Sequence, residues 1–273
     1  MNEELARLIE ALPLLDLILI GIANLPTWLG TLLVIGVPVL LSALGVLLTN
    51  WLLGSEVLID NNIVGGAKLA FLAQVFCALL AFVIIDGALR YNEVRANIQT
   101  EVSALRLFME TLDQLSAPEA RDMGHLVKAY ADQVVTQEYR TMQLGAESAA
   151  ARAAMKDLLE GYLLLPARNE HERLLKLQAD QLLAKAMEGR AGRLNAVRPG
   201  LKTLIWTVVV LNLALAISFN WFFGNPSLAM QMLMAMLLTA AIMILTYLAL
   251  LLYHPFAGEF ANSPAPYAVL RLR

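Results

Sequence analysis

Residues 203–258 read TLIWTVVVLNLALAISFNWFFGNPSLAMQMLMAMLLTAAIMILTYLALLLYHPFAG, without one Asp, Glu, Lys or Arg. About 20 mostly apolar residues cross the hydrocarbon of a bilayer, so this stretch is long enough to cross twice. In its middle, Gly224-Asn225-Pro226-Ser227 supplies turn chemistry, with Ser227 placed to cap the following helix. The stretch therefore predicts a hairpin of antiparallel spans, one over about 201–223 and one over 227–253.

Outward from this hairpin, residues 17–55 form a second uncharged stretch. It predicts a span at about 27–50, with Trp28 and Trp51 where interfacial aromatics belong and Pro38 placed to kink it. A further span runs from about Ala67 to Arg90; its strictly uncharged part, between Lys68 and Asp86, is short, so Lys68 is expected to snorkel to the headgroups. Residues 90–202, by contrast, hold 31 of the 43 formal charges. The predicted fold class is all-α: a polytopic membrane protein with four transmembrane helices and a helical cytoplasmic domain. The expected divisions are an N-terminal segment 1–26, a first transmembrane pair 27–90, the domain 91–200, a second pair 201–253 and a C-terminal tail 254–273.

Hydrophobic residues make up 59% of the chain, more than in soluble domains, and mean hydropathy is +0.63. A net charge of -3 over 273 residues offers no basic surface, so no nucleic-acid partner is expected. Cys77 is the single cysteine, which excludes an intrachain disulfide. The acidic start Met1-Asn2-Glu3-Glu4 is unlike a cleavable signal, and none is expected. Leu5, Leu8, Ile9 and Leu12 lie opposite Glu4, Arg7 and Glu10, and Pro13 and Asp16 interrupt the apolar run beyond Leu12. Residues 5–22 therefore read as a helix in the interface, not a fifth span.

Basic residues set the orientation. Arg90, Arg95, Arg190, Arg193, Arg198 and Lys202 flank the charged middle, while the opposite side offers only Lys68. The positive-inside rule then places residues 91–200 and both termini in the cytoplasm of a multi-pass cell-membrane protein.

Within the middle, Ile98, Val102, Leu105, Met109 and Leu112 recur with spacing 4, 3, 4, 3, a heptad seam on a helix that continues out of the second span. Ser116-Ala117-Pro118-Glu119 starts the next helix, with Met123, Leu126, Val127, Tyr130 and Val134 on one side. A third covers about 147–165, and Asn169 caps a fourth bearing Leu175, Ala179, Leu182 and Ala186, before Pro199-Gly200 breaks the chain. These stripes suit a packed bundle; the five-residue seam suits an intersubunit contact as well.

Catalytic constellations are not legible. His125, His171 and His254 are far apart, Glu170-His171-Glu172 lacks zinc-ligand spacing, and Gly189-Arg190-Ala191-Gly192 is no dinucleotide fingerprint. Neither an enzyme, a metal nor a cofactor is expected. Polar residues within the spans (Asn212, Ser218, Gln231, Thr239, Thr246) read as interhelical hydrogen bonds. Asn61-Asn62 and Gly65-Gly66 read as a turn into the second span, or as an ion-coordinating loop at its outer mouth.

Three segments carry a resemblance. Ile59-Asp60-Asn61-Asn62-Ile63-Val64-Gly65-Gly66 with Ala78–Ile84, then Tyr130…Glu138-Tyr139…Met142, then His254-Pro255-Phe256-Ala257-Gly258-Glu259-Phe260…Pro266-Tyr267 occur in order over about 56–270. Together they resemble the bestrophin-like domain of unknown function. The resemblance implies four spans, a helical cytoplasmic region and kinship with bestrophin ion channels. It also implies a homo-oligomer in the lipid bilayer, with a pentamer as first expectation and inorganic ions as its cargo. Relatives usually carry an acidic residue where this chain has Tyr253, and the acidic calcium-binding cluster of animal bestrophins has no counterpart after the fourth span.

Bestrophins line their pore with the helix equivalent to the second span. Here Lys68, Phe71, Val75, Leu79, Phe82 and Asp86 share a helical face. Phe71, Val75, Leu79 and Phe82 are expected to line the pore, with Lys68 and Asp86 as basic and acidic rings at its two mouths. Gln74 and Cys77 lie off this face and are expected to meet neighbouring helices. Ordinary helix packing is the alternative for this face, and a non-conducting membrane scaffold whose bundle binds a protein partner is the alternative function.

Overall fold

A computed structural model describes residues 9–10, 12–115, 120, 122–196 and 202–271, and every regular element within them is helical. Residues 1–8, the Ser116-Ala117-Pro118-Glu119 start, Arg198 and the Pro199-Gly200 break lie outside the described residues. Among those described, four helices are long and apolar enough to cross a membrane.

Leu14–Ala23 (α1) begins directly after Pro13 and stops at Asn24, too short to cross. Its Asp16 is buried and accepts a hydrogen bond from Thr203 Oγ1 at 2.8 Å. The charge that interrupts the apolar run is thus an anchor to the third span. Thr27–Leu53 (α2) comes next. Pro38 lacks an N–H, and one turn earlier the ladder opens into a π turn, Leu32–Gly36, within a helix that continues to Leu53. Trp28 and Trp51 project outward near its two ends.

Asn62–Leu112 (α3) is a single helix of 51 residues, so membrane span and heptad seam share one rod. It starts five residues earlier than the sequence suggested, because Gly65-Gly66 are helical and not a turn. Gly65 lets the Phe223 ring approach; a Cβ there would lie 3.3 Å from it.

The extramembrane region adds further helices and a second π turn. Asp122–Gln133 (α4) passes through a π turn, Val134–Glu138, into Tyr139–Gln143 (α5). Ala149–Leu163 (α6) is capped by Ser148, and Glu170–Asn195 (α7) by Asn169, whose Oδ1 accepts the Glu172 N–H at 2.8 Å. α7 lies along α3, and α6 packs against α4. Ile98, Val102, Leu105, Met109 and Leu112 are all buried in this bundle with Val127, Tyr130, Leu158 and Ala179. The seam expected between subunits is therefore the chain's own core: the side chains that would face a partner face α4, α6 and α7. On α7 the buried stripe is Leu175, Ala179, Leu183 and Ala186, with Leu182 half-buried beside it.

Lys202–Asn220 (α8) and Leu228–Tyr253 (α9) complete the membrane half. Ser227 sits at the cap position but its side chain makes no cap bond; Asn225 Oδ1 instead accepts the Ser227 N–H at 2.9 Å. Asn62 closes the end of the membrane half away from the helical bundle, exchanging bonds with Gly224 O at 2.8 Å and Gly224 N at 3.0 Å, while Asn61 reaches Phe222 O. Both asparagines are thus committed to the turn backbone. Across the spans, Thr239 donates to Ser42 and Asn50 to Gln231, whereas Asn212 and Thr246 bond carbonyls of their own helices. The residues after α9 do not form a loose tail. Phe256 and Tyr267 meet Tyr139 edge-on, at 5.3 and 6.2 Å. Gly258, at φ 75°, sits where a Cβ would strike Ala23 O.

Candidate functional site: the two faces of the long helix

Every third or fourth residue of α3 points the same way, so the helix presents two opposed faces to different surroundings. One face is covered by the chain itself. Phe76, Leu80 and Val83 join Trp206, Val209, Tyr247, Leu250 and Tyr253 in the membrane core. Gly87 continues this face; a Cβ there would stand 2.9 Å from the Tyr253 ring.

The other face is bare. Phe71 is 71% exposed, Phe82 74%, Ile85 57% and Leu89 64%, with Val75 and Ala78 exposed between them. Positions 71, 75, 78, 82, 85 and 89 follow spacing 4, 3, 4, 3, 4, a heptad spacing that keeps them on one side of the helix. Beyond the membrane the same bearing passes through Ala96, Thr100, Ser103 and Leu107, opposite the buried Ile98–Leu112 seam.

The expected site divides on this geometry. Phe71, Val75 and Phe82 lie together on the bare face, and Lys68 is exposed toward the N-terminal end of the helix. Leu79 does not belong there: it is half-buried against the membrane core. Asp86 leans toward α9, accepting the Tyr253 hydroxyl at 2.5 Å and Arg90 Nε at 2.7 Å. A free acidic ring at Asp86 is therefore not what the fold builds. Tyr253 and Arg90 together tie Asp86 down. Gln74 and Cys77 are exposed, because Phe76, Leu80 and Val83 make the contacts with neighbouring helices.

A second polar constellation was not anticipated. In the dry centre of the extramembrane bundle, Arg193 is bound by Glu101 through Nε at 2.9 Å and Nη2 at 3.2 Å, and its Nη2 also donates to Glu138 at 2.8 Å. Arg190 bridges Glu138 at 2.7 Å and Glu147 at 2.9 Å. Tyr130 donates to Glu101, and the Arg193 guanidinium lies 5.8 Å from the centre of the Tyr267 ring. Burial strips water from Arg193, but the adjacent Glu101 carboxylate holds it charged, well above its ordinary range. Burial, reinforced by the Glu101 charge, pushes the Tyr130 hydroxyl up, so it stays a donor. Gly189 permits this closeness; a Cβ there would come within 2.8 Å of Glu101 N.

The network bears on orientation, since Arg190 and Arg193 are consumed within it and do not mark a membrane surface. Of the basic flank, Arg90 and Arg95 remain exposed among the described side chains. The signal for the network was present: Glu101 stands between Ile98 and Val102 on an otherwise apolar face. Among the described residues, no group of three or more His, Cys, Asp or Glu side chains is placed to hold a metal.

The family model for the bestrophin-like domain matches residues 36–267, and the chain belongs to the bestrophin-like family. It is similar to a crystal structure of a membrane protein with TM-score 0.67 at 14% identity, covering 89% of this chain and 96% of that one. A second crystal structure of a membrane protein gives TM-score 0.65 at 13% identity, with the same coverage. At such identities the likeness concerns the fold. No curated protein matches the sequence.

Proposed function

We propose that this bestrophin-like chain assembles as a closed homo-oligomer around the bare face of α3 and conducts inorganic ions along the axis so formed. One observation carries the reading. A heptad-spaced apolar stripe, Phe71 to Leu89, is left uncovered on a helix whose opposite face is fully packed. Symmetric copies bring such stripes together as stacked rings, and rings of phenylalanine narrow a passage enough to gate it by dewetting. Phe71, Val75 and Phe82 form the constriction, with Lys68 at the outer end. Family membership favours a ring of five. The exposed Arg90 and Arg95 favour a cytoplasmic location for residues 91–200, and for both termini with them.

A scaffold reading draws on a different surface. Leu163, Leu164, Leu174 and Leu177 are exposed on the extramembrane bundle, where a protein partner could cover them. Flux decides between the two. Purified protein reconstituted into liposomes should pass ions, and Phe82→Ala should raise unitary conductance, while Cys77→Ala, facing away from the stripe, should leave it unchanged. Oligomers that carry no current, in the wild type and Phe82→Ala alike, favour the scaffold.

A further inference from the structure

We infer that Glu93, and not Asp86, is the charged residue that faces the ion path at its inner end, and that it selects for cations. The inference rests on the pore reading above. Leu89 returns to the bearing of Phe71, and Glu93 lies about 40° from it and roughly 6 Å farther along the helix, by the 3.6-residue turn and 1.5 Å rise.

Asp86 lies on the same side of α3 but is spoken for by Tyr253 and Arg90. Glu93 is exposed and, among the described residues, makes no hydrogen bond or ion pair. Arg90 senses its charge through space, but the Arg90 guanidinium is bonded to Asp86. From Leu89 to Ser103 the stripe carries Glu93, Ala96, Thr100 and Ser103, so Glu93 is its single formal charge. Arg95 projects well off this bearing, toward Ala261, Asn262 and Ser263 of the closing segment, and does not neutralise it. Repeated around an axis, Glu93 gives a ring of carboxylates just below the last apolar ring, Leu89. Such a ring raises the local concentration of cations and excludes anions. The dry rings above it set conductance; this ring sets sign.

The test is the reversal potential of the full-length protein in planar bilayers under a potassium chloride gradient. The wild type should prefer potassium. Glu93→Gln should lower the potassium-to-chloride permeability ratio by roughly tenfold at low salt, an effect that shrinks near 1 M, where the screening length is about 3 Å. Glu93→Arg should reverse the preference, and Asp86→Asn should move the ratio less than Glu93→Gln does. Because the Glu93 side chain is exposed and bonds no other side chain among the described residues, neither replacement at 93 removes a described contact of the fold. Channels of ordinary conductance whose reversal potential ignores both replacements overturn this inference alone. A wild type that passes no current overturns the pore reading, and this inference with it.

Discussion

The two halves of this chain solve opposite problems with the same helix. In the membrane, α3 buries Phe76, Leu80 and Val83 inward and leaves Phe71, Phe82 and Leu89 bare. Outside the membrane it buries an apolar seam and, within that seam, a charge: Glu101, wholly enclosed with Arg193 and Glu138. Lipid is as apolar as leucine, so the membrane half gains little from hiding hydrophobic surface and is held by shape and interhelical bonds. The extramembrane half has water to exclude. It gains enough from doing so to tolerate a desolvated ion network at its centre.

Breaking that network should produce the largest effect. Arg193→Leu leaves the buried Glu101 without its counter-ion, next to a Glu138 that only Arg190 still pairs, a loss of about 3–5 kcal/mol. Denaturant unfolding of the extramembrane bundle, followed in detergent, should show it. Replacing Glu101, Glu138 and Arg193 together by apolar residues should recover most of the stability, because the uncompensated charge goes and Arg190 keeps Glu147 as its partner. A single variant that unfolds like wild type contradicts the assignment.

Two phenylalanines sharpen the comparison directly. Phe108, fully buried and meeting Tyr162 edge-on at 5.2 Å, should cost about 3–5 kcal/mol on truncation to alanine. Phe76 is as well buried, yet in lipid it loses packing without the transfer from water, so Phe76→Ala should cost roughly 1–3 kcal/mol. Equal losses, measured by thermal unfolding in the same lipid nanodiscs, would erase the distinction drawn between the halves.

Acid should act on the bundle. Burial raises the Glu147 carboxyl, but the hydrogen bond from Arg152 and the charge of Arg190 outweigh it and hold the group below its ordinary 4.5. A depressed carboxylate stabilises the fold above its unfolded value. That contribution is therefore present above about pH 4.5 and disappears as pH falls through the lower folded value. Glu147→Gln should flatten this part of the pH–stability curve. The smallest effect on stability belongs to Phe82→Ala, within about 0.5 kcal/mol, because three-quarters of the residue is exposed.

Much of this was legible in the residues. Absence of charge over 17–55 and 203–258 located the membrane halves, and the proline-free run from the second span through Leu112 foretold a continuous rod. Periodicity failed in a specific way. It finds faces but not what covers them, so the Ile98–Leu112 seam suited a partner subunit as well as the chain's own bundle. Likewise Leu79 and Asp86 share a bearing with Phe71 and Phe82 to within a fraction of a turn, and only the placement of α9 separates them. The buried ion network joins Glu101 to residues 37 and 92 positions away, a pairing that no local pattern expresses.

The unbroken length of α3 has a mechanical consequence. A helix of 51 residues is a rod of about 76 Å, at 1.5 Å per residue, and Gly87, held against Tyr253, lies near its midpoint. With α9 as fulcrum, the apolar stripe and the ion network occupy opposite arms of one lever. A tilt of 5° about Gly87 carries Leu112 roughly 3 Å and swings Phe71 about 2 Å the other way, by the same rise per residue. If the rod tilts as one body, a load on the bundle reaches the Phe71 end with its sign inverted.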